Sequence, residues 1–276
     1  MKKTLVLLGA MLCVISSCKK EDLPQGSFEA EFSISDYRTV TFSQGNLQYN
    51  AVEDCWRFAE HQYDFIGKDN ENIGPDYDGW IDLFGWGTSG YLQGPVCYEP
   101  GNYYKPQYEN GKLNLNHDNG ADWGVNRIAN GGDQWDMWHT LNDEQWEYIF
   151  HFRKDADKKC AQAKINGICG LVILPDKWIQ PDGASFSTEG TGWNKNQYTL
   201  DEWQVMETSG AVFLPAAGLR DGKVVGAIAE NGRYWTASGY SMDWANCMAF
   251  FYTDYGTSEK HAKFLGYSVR LVHFSE

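Results

Sequence analysis

The sequence predicts an α+β fold of short, twisted antiparallel strands, two helices and long loops. Three observations predict it. Apolar residues alternate or run in short stretches of strand length, as in Val40-Thr41-Phe42-Ser43 and Gly170-Leu171-Val172-Ile173-Leu174. Two segments carry helix-capping residues followed by apolar residues at helical spacing. Finally, 29 Gly stand beside 12 Trp, 16 Tyr and 14 Phe. That combination describes a loop-rich chain pinned by aromatic anchors, because disordered chains are poor in aromatics.

The N-terminus sets the compartment. Lys2 and Lys3 precede a short apolar run from Leu5 to Ile15, which ends in Ser16, Ser17 and Cys18. The run is shorter than the ~18 apolar residues expected of a spanning helix, so residues 1–17 read as a secretory signal peptide. Ile15-Ser16-Ser17-Cys18 resembles a bacterial lipobox, which implies that Cys18 is acylated and becomes the first residue of the processed chain. The plainer alternative is ordinary cleavage nearby, with Cys18 a bystander. Lys19-Lys20-Glu21-Asp22 resembles the signal that carries Bacteroidetes lipoproteins to the outer face of the outer membrane. Residues 18–27 then form a lipidated tether, and residues 28–276 a single domain.

Charge narrows the partners. Formal charge is −14, and losing Lys2 and Lys3 with a leader that holds no Asp or Glu takes it to −16. A pI near 4.8 argues against nucleic acid and anionic lipid surfaces as electrostatic partners, since both require a basic face. Contact with a membrane is therefore expected only through the lipid on Cys18.

Along the chain, apolar alternation from Phe28 to Ile66, broken by Gln44-Gly45-Asn46, predicts a β-meander. Residues 67–135 are rich in Gly, Asn, Asp and Trp with little periodicity and predict long surface loops. Thr140-Leu141-Asn142-Asp143 supplies a cap for a helix carrying Trp146, Ile149, Phe150 and Arg153. Thr199-Leu200-Asp201-Glu202 is a capping box for a second helix, with Trp203 and Met206 on its apolar face and Gly210 placed to end it. Each helix is followed by an apolar run ending in Leu-Pro, at Leu174-Pro175 and Leu214-Pro215. Two unlike copies are too few for a repeat architecture.

Cysteine usage excludes a dense disulfide framework, because beyond Cys13 and Cys18 there are five: Cys55, Cys97, Cys160, Cys169 and Cys247. Cys160 and Cys169 flank an Asn166-Gly167 hairpin signal and either bridge across it or act as small apolar residues. No CxxC pair offers a cysteine zinc site. Gly85-Trp86-Gly87-Thr88-Ser89-Gly90 fits a dinucleotide fingerprint in letters, but Tyr91-Leu92-Gln93-Gly94-Pro95 cannot open the helix it needs, so it reads as a turn. The carboxylates Asp69, Glu71, Asp76, Asp78 and Asp82 either collect a cation or form a solvated acidic loop; Gly74 and Gly85 occupy the loop positions where a calcium motif requires Asp and Glu. HExxH, GxSxG and P-loop signatures are absent from the sequence. Glu144 and Glu147 meet the dipole of a helix's first turns, a simpler account than acid–base catalysis. Trp80, Trp86, Trp123, Trp135 and Trp138 offer stacking surfaces, of which one or two at most are expected in a site. No metal, catalytic residue or cofactor is assigned.

Thr140-Leu141 through Trp146-Glu147-Tyr148, Leu174-Pro175, Phe213-Leu214-Pro215-Ala216-Ala217-Gly218, Tyr234-Trp235-Thr236-Ala237-Ser238 and Gly266-Tyr267-Ser268-Val269-Arg270 follow one another in a recognisable order. The order resembles the Fibrobacter succinogenes major paralogous domain of Bacteroidetes surface lipoproteins, over roughly residues 120–276. That resemblance implies a C-type-lectin-like fold, in a superfamily shared with the formylglycine-generating enzymes. Those enzymes use a reactive cysteine pair near the C-terminus, whereas Cys247 is the last cysteine here and has no near partner in sequence. Calcium-dependent C-type lectins use Glu-Pro-Asn and Trp-Asn-Asp; this chain has Glu99-Pro100-Gly101 and no Trp-Asn-Asp.

The expected function is display. Residues 239–263 mix Tyr, Ser, Asn and Asp between apolar flanks, the composition that binding loops favour, although a solvent-facing hairpin has a similar one. Tyr240, Ser241, Asp243, Asn246, Tyr252, Asp254, Tyr255 and His261 are the candidate contacts to a glycan or protein ligand. The competing readings are a divergent formylglycine-generating-type enzyme and a structural or adhesion subunit. The N-terminal reading has a direct check. Cys18→Ala is expected to abolish palmitate labelling and to release the protein from membranes or leave its precursor unprocessed, as membrane fractionation will report.

Overall fold

In the computed structural model, which describes residues 23–73, 77–89, 114–115 and 120–275, the chain begins with two hairpins. The leader, Cys18, Asp76, Cys97 and Glu99-Pro100-Gly101 lie outside the described residues. β1 (Phe32–Ser35) pairs antiparallel with β2 (Arg38–Phe42), and β3 (Leu47–Asn50) with β4 (Cys55–Phe58). The predicted continuous meander is corrected here: β2 and β3 belong to different sheets. The chain turns a corner between them, where Gly45 runs so close to the next hairpin that a Cβ there would sit 2.4 Å from the Ala59 carbonyl oxygen. β5 (Trp80–Ile81) completes the second sheet beside β3.

A short β6 (His139–Thr140) leads into α1 (Asp143–Glu147), which continues as a π-helical turn over Tyr148–Phe152. The cap sits at Asn142, whose side chain accepts from the Gln145 backbone while Gln145 reaches back to Asn142. Trp146, Ile149 and Phe150 are buried, as their spacing predicts. β7 (Cys160–Ile165) and β8 (Ile168–Ile173) form the predicted hairpin, with Asn166 and Gly167 both at positive φ. Its register sets Cys160 opposite Ile173 and Cys169 opposite Lys164, so the two thiols do not face each other and both remain free. β9 (Gln197–Tyr198) joins β7, and α2 (Leu200–Thr208) carries the Thr199–Glu202 capping box and ends at Gly210, φ +95°. β10 (Val212–Pro215) pairs with β8, making the two Leu-Pro runs sheet neighbours.

The last quarter holds the core together. β11 (Leu219–Asp221) and β12 (Val224–Gly226) form a small hairpin, and β13 (Asn231–Gly239), β14 (Trp244–Phe251) and β15 (Tyr255–Ala262) a three-stranded antiparallel sheet. β16 (Leu271–Phe274) returns to lie between β2 and β6, so the C-terminal strand closes the N-terminal sheet. The β13–β14 hairpin is buried on both faces. Trp235 and Cys247 point into a cluster with Trp86, Trp138, Tyr267 and Val269; Tyr234, Met248 and Phe250 enter another with Phe42, Trp146 and Leu214.

The motifs met in the sequence interlock at this hairpin. Trp235 donates its ring N–H to the Phe84 carbonyl at 2.6 Å and packs against Tyr267, the rings tilted by 34° with centroids 4.4 Å apart. Arg270, fully buried, donates to Gln62 at 2.9 Å, and burial lowers its guanidinium to about 10. Gly266 packs so tightly that a Cβ would meet Arg220 at 2.9 Å and the Leu83 carbonyl at 3.0 Å. Trp235→Ala is expected to cost about 3–5 kcal/mol through the cavity it opens, measured by denaturant unfolding.

Candidate ligand-binding site

The structure divides six of the eight predicted contact residues between the two ends of β14 and sets the other two, Asn246 and His261, within strands. Tyr240, Ser241 and Asp243 lie in the β13–β14 turn, whereas Tyr252, Asp254 and Tyr255 lie at the β14–β15 turn. β14 separates them by about 25 Å, at ~3.3 Å per residue, too far for one small ligand to touch both.

The far end is largely structural. Tyr255 packs on the α1 extension, 5.1 Å from Phe150 and stacked on His151 at 6.4 Å, and burial raises its phenol. Tyr252 lies over Gly192, where a Cβ would come within 2.1 Å of its ring, and is edge-on to Trp193. Asp254 is exposed, and its carbonyl accepts from Phe251 at 2.8 Å to close the turn. Asn246 is a buried tie, not a displayed group: its amide donates to Asp143 at 2.7 Å, joining β14 to the start of α1. Ser238 donates to the same carboxylate. His261, the penultimate residue of β15 and the partner of Ala245, lies 3.0 Å from both Glu259 and Arg233.

The β13–β14 turn is where apolar surface meets solvent. Tyr240, Met242 and Trp244 are 58%, 40% and 46% exposed, a rare density of large side chains outside the core. The loop beneath them is fixed. Tyr240 and Ser241 both donate backbone N–H to the Trp244 carbonyl at 2.9 Å, and the Ser241 hydroxyl accepts from the Trp244 N–H at 3.2 Å. Buried Lys263 reaches up from below, its Nζ donating to the carbonyls of Ser241 at 2.8 Å and Met242 at 3.2 Å. Its own N–H donates to the Asp243 carbonyl at 2.9 Å. Lys263 rests over the Trp86 ring at 4.2 Å, and Trp86 is held in turn by the Thr236 carbonyl. On the outer side the Lys260 ammonium lies 4.5 Å from the centre of the Tyr240 ring. Two exposed rings therefore stand on a turn whose carbonyls are already engaged.

Sequence reasoning missed Met242, Trp244, Lys260 and Lys263. Trp244 was readable as an aromatic in a polar stretch; Lys263 was not, because nothing local distinguishes a lysine that turns inward.

The other candidates take structural roles. Trp86, Trp123 and Trp138 are buried, and Trp80 is covered by Arg57 at 3.8 Å; Trp135 is exposed. Among the described residues, the acidic side chains of this segment do not gather. Asp82 is buried, accepting from the Ile66 N–H and the Asn70 amide at 2.8 Å each, and burial pushes its carboxyl up to about 6. Glu71 holds the Val225 N–H at 3.1 Å, and Asp69 and Asp78 are exposed. His139 packs on Phe274 at 4.2 Å. Gly85–Ser89 forms the expected turn, closed by the Thr88 hydroxyl on the Gly85 carbonyl at 2.9 Å. Cys247 is fully buried and burial raises its thiol, the reverse of what a nucleophile requires.

Comparison with protein-family models, curated proteins and solved structures finds no match to this chain.

Lys263 gives the tip a measurable signature. Burial lowers its ammonium to about 8, against an ordinary 10.5, with nearby Asp243 acting in the opposite direction. Between those two values the unfolded chain holds a proton that the folded chain has released, so this residue's contribution to stability rises with pH across that window. Lys263→Met is expected to lose that rise while weakening the turn at pH 7. The wild-type-minus-variant stability, from urea melts between pH 7 and 10.5, will therefore increase with pH.

Proposed function

We propose that this protein is a surface-displayed, lipid-anchored binding module of C-type-lectin-like fold that reads a glycan through its β13–β14 tip, without catalysis. The observation that carries the reading is the pair of exposed rings, Tyr240 and Trp244, on a turn held rigid by Lys263. Flat aromatic faces stack on the C–H faces of sugar rings, and a turn fixed in advance loses little entropy on binding. Asp243 and Lys260 beside the rings supply polar partners for hydroxyl groups. A protein ligand is the other class such a tip accepts, since Tyr and Trp are also the usual anchors of protein interfaces.

Support for the fold comes from the order of the motifs and from a C-terminal strand that closes the N-terminal sheet around two helices and long connections. Support for the anchor comes from the leader alone. The formylglycine-type reading is weakened by the burial of Cys247 and its raised thiol.

The test is a glycan array with the protein produced without its leader, followed by calorimetric titration of the best hit. Tyr240→Ala and Trp244→Ala should each weaken binding by about 1–3 kcal/mol and leave the melting temperature nearly unchanged. If both variants bind normally while Tyr252→Ala or loop changes within residues 67–135 abolish binding, the site lies elsewhere.

A further inference from the structure

The side chains around His261 form a second constellation, independent of the tip. Cys247, Glu259 and His261 each offer a ligand atom, and the three atoms lie within 4.8 Å of one another. Strand pairing brings them there. Cys247 on β14 is the direct cross-strand partner of Glu259 on β15, and His261 is two residues further along β15, so all three side chains leave the same face of the sheet. The glutamate oxygen and His261 Nε2 are already 3.0 Å apart. Among the described residues, this is the one group of His, Cys, Asp or Glu side chains close enough to share an ion.

We infer that Cys247, Glu259 and His261 form a binding site for a zinc-class divalent transition metal, stapling β14 to β15. The donor set decides the class of ion. One sulfur, one imidazole nitrogen and one carboxylate oxygen match a borderline-soft cation and are wrong for calcium or magnesium, which take oxygen ligands. Zinc bonds of about 2.0–2.3 Å in a tetrahedron place ligand atoms about 3.3–3.7 Å apart, a contraction of at most about 1.5 Å from the spacing found here. Glu259 and His261 are partly exposed, so their side chains are the ones placed to make that movement. The same partial exposure gives an ion an entry path to the buried sulfur and leaves a fourth position for water.

Charge balance permits the site although Arg233 borders it, 3.0 Å from His261 and 3.8 Å from Glu259. Binding releases the Cys247 proton to solvent, so thiolate and carboxylate together neutralise a doubly charged ion. Arg233 can then keep the Tyr267 hydroxyl, which it already approaches at 3.3 Å, and turn to the Glu259 oxygen that faces away from the ion. Without an ion the guanidinium lies 3.0 Å from the same Nε2 that would ligate the metal, which makes it the competitor that sets affinity.

The experiment uses purified, chelator-stripped protein and zinc alone, titrated against a chromophoric chelator, with cobalt as the spectroscopic probe. One zinc per chain is expected, with a higher melting temperature in its presence and none of that gain from calcium. Cobalt should give a thiolate-to-metal charge-transfer band that disappears in Cys247→Ser. His261→Gln and Glu259→Gln, at partly exposed positions that tolerate change, should each weaken zinc by ~10-fold or more. Arg233→Met should tighten it. Zinc binding that is absent in the wild type, or unchanged in both His261→Gln and Glu259→Gln, overturns the assignment. A cobalt complex without the thiolate band overturns it as well, even if Cys247→Ser fails to fold.

Discussion

The burial of the β13–β14 hairpin on both faces is the constraint that orders the rest of the molecule. A strand with one wet face alternates apolar and polar residues; here Tyr234 and Trp235 enter opposite clusters, as do Cys247 and Met248. A slip of one residue would exchange the contents of two cores at once, so the register is specified from both sides. That register fixes where the chain must turn, and hence where Tyr240 and Trp244 emerge. The rigidity of the tip follows from packing far beneath it as much as from its own hydrogen bonds.

Little helix is available to hold this chain, and buried polar side chains take over part of that task. Asn70 and Asp82 clamp the turn over Gly67–Asn72, with the Asn70 side-chain oxygen Oδ1 accepting from the N–H groups of Asp82 and Leu83. Gln62 joins α2 to β10 by bonding to Glu207, to the Ala211 carbonyl and to the Phe213 N–H, and its oxygen also receives Arg270. Such pins stabilise only when every member is satisfied, because an unpaired buried polar group costs about 1–3 kcal/mol. Loop segments held this way keep one conformation although their apolar content is low. Asp82 shows the cost of the arrangement: its carboxylate stays in an apolar environment that favours the neutral acid.

What the sequence made legible was local. The Thr199–Glu202 box, the Gly210 stop and the Asn166-Gly167 turn are short-range signals, and each appears where the residues place it. The separation of β2 from β3 was not legible, because it depends on β16 arriving from the far end of the chain. Asn246 had the composition of a binding residue but faces Asp143 on another element, and Tyr255 had the same composition but rests on Phe150. Residue type gives hydrogen-bonding capacity without saying whether water or protein will satisfy it. Cys247, Glu259 and His261 were invisible for a related reason, since a cross-strand pair twelve residues apart has no spacing signature, unlike a CxxC pair on one turn.

The way the tip is held has a consequence for what it can read. Lys263 engages the carbonyls of Ser241 and Met242, and Trp244 engages the N–H groups of Tyr240 and Ser241, so much of the turn's backbone bonding is already used. Under the proposed function, recognition falls to the side chains that project from it. A site that reads with side chains on a satisfied backbone differs from an oxyanion hole or a phosphate loop, where main-chain groups are kept free for the ligand. Because the residues that fix the turn, Lys263, Trp86 and Thr236, lie below it and outside it in sequence, changes at Tyr240, Met242 or Trp244 need not disturb the fold. In the proposed reading, specificity and stability are carried by different residues, and a scaffold of this kind could change its ligand while leaving its two cores untouched.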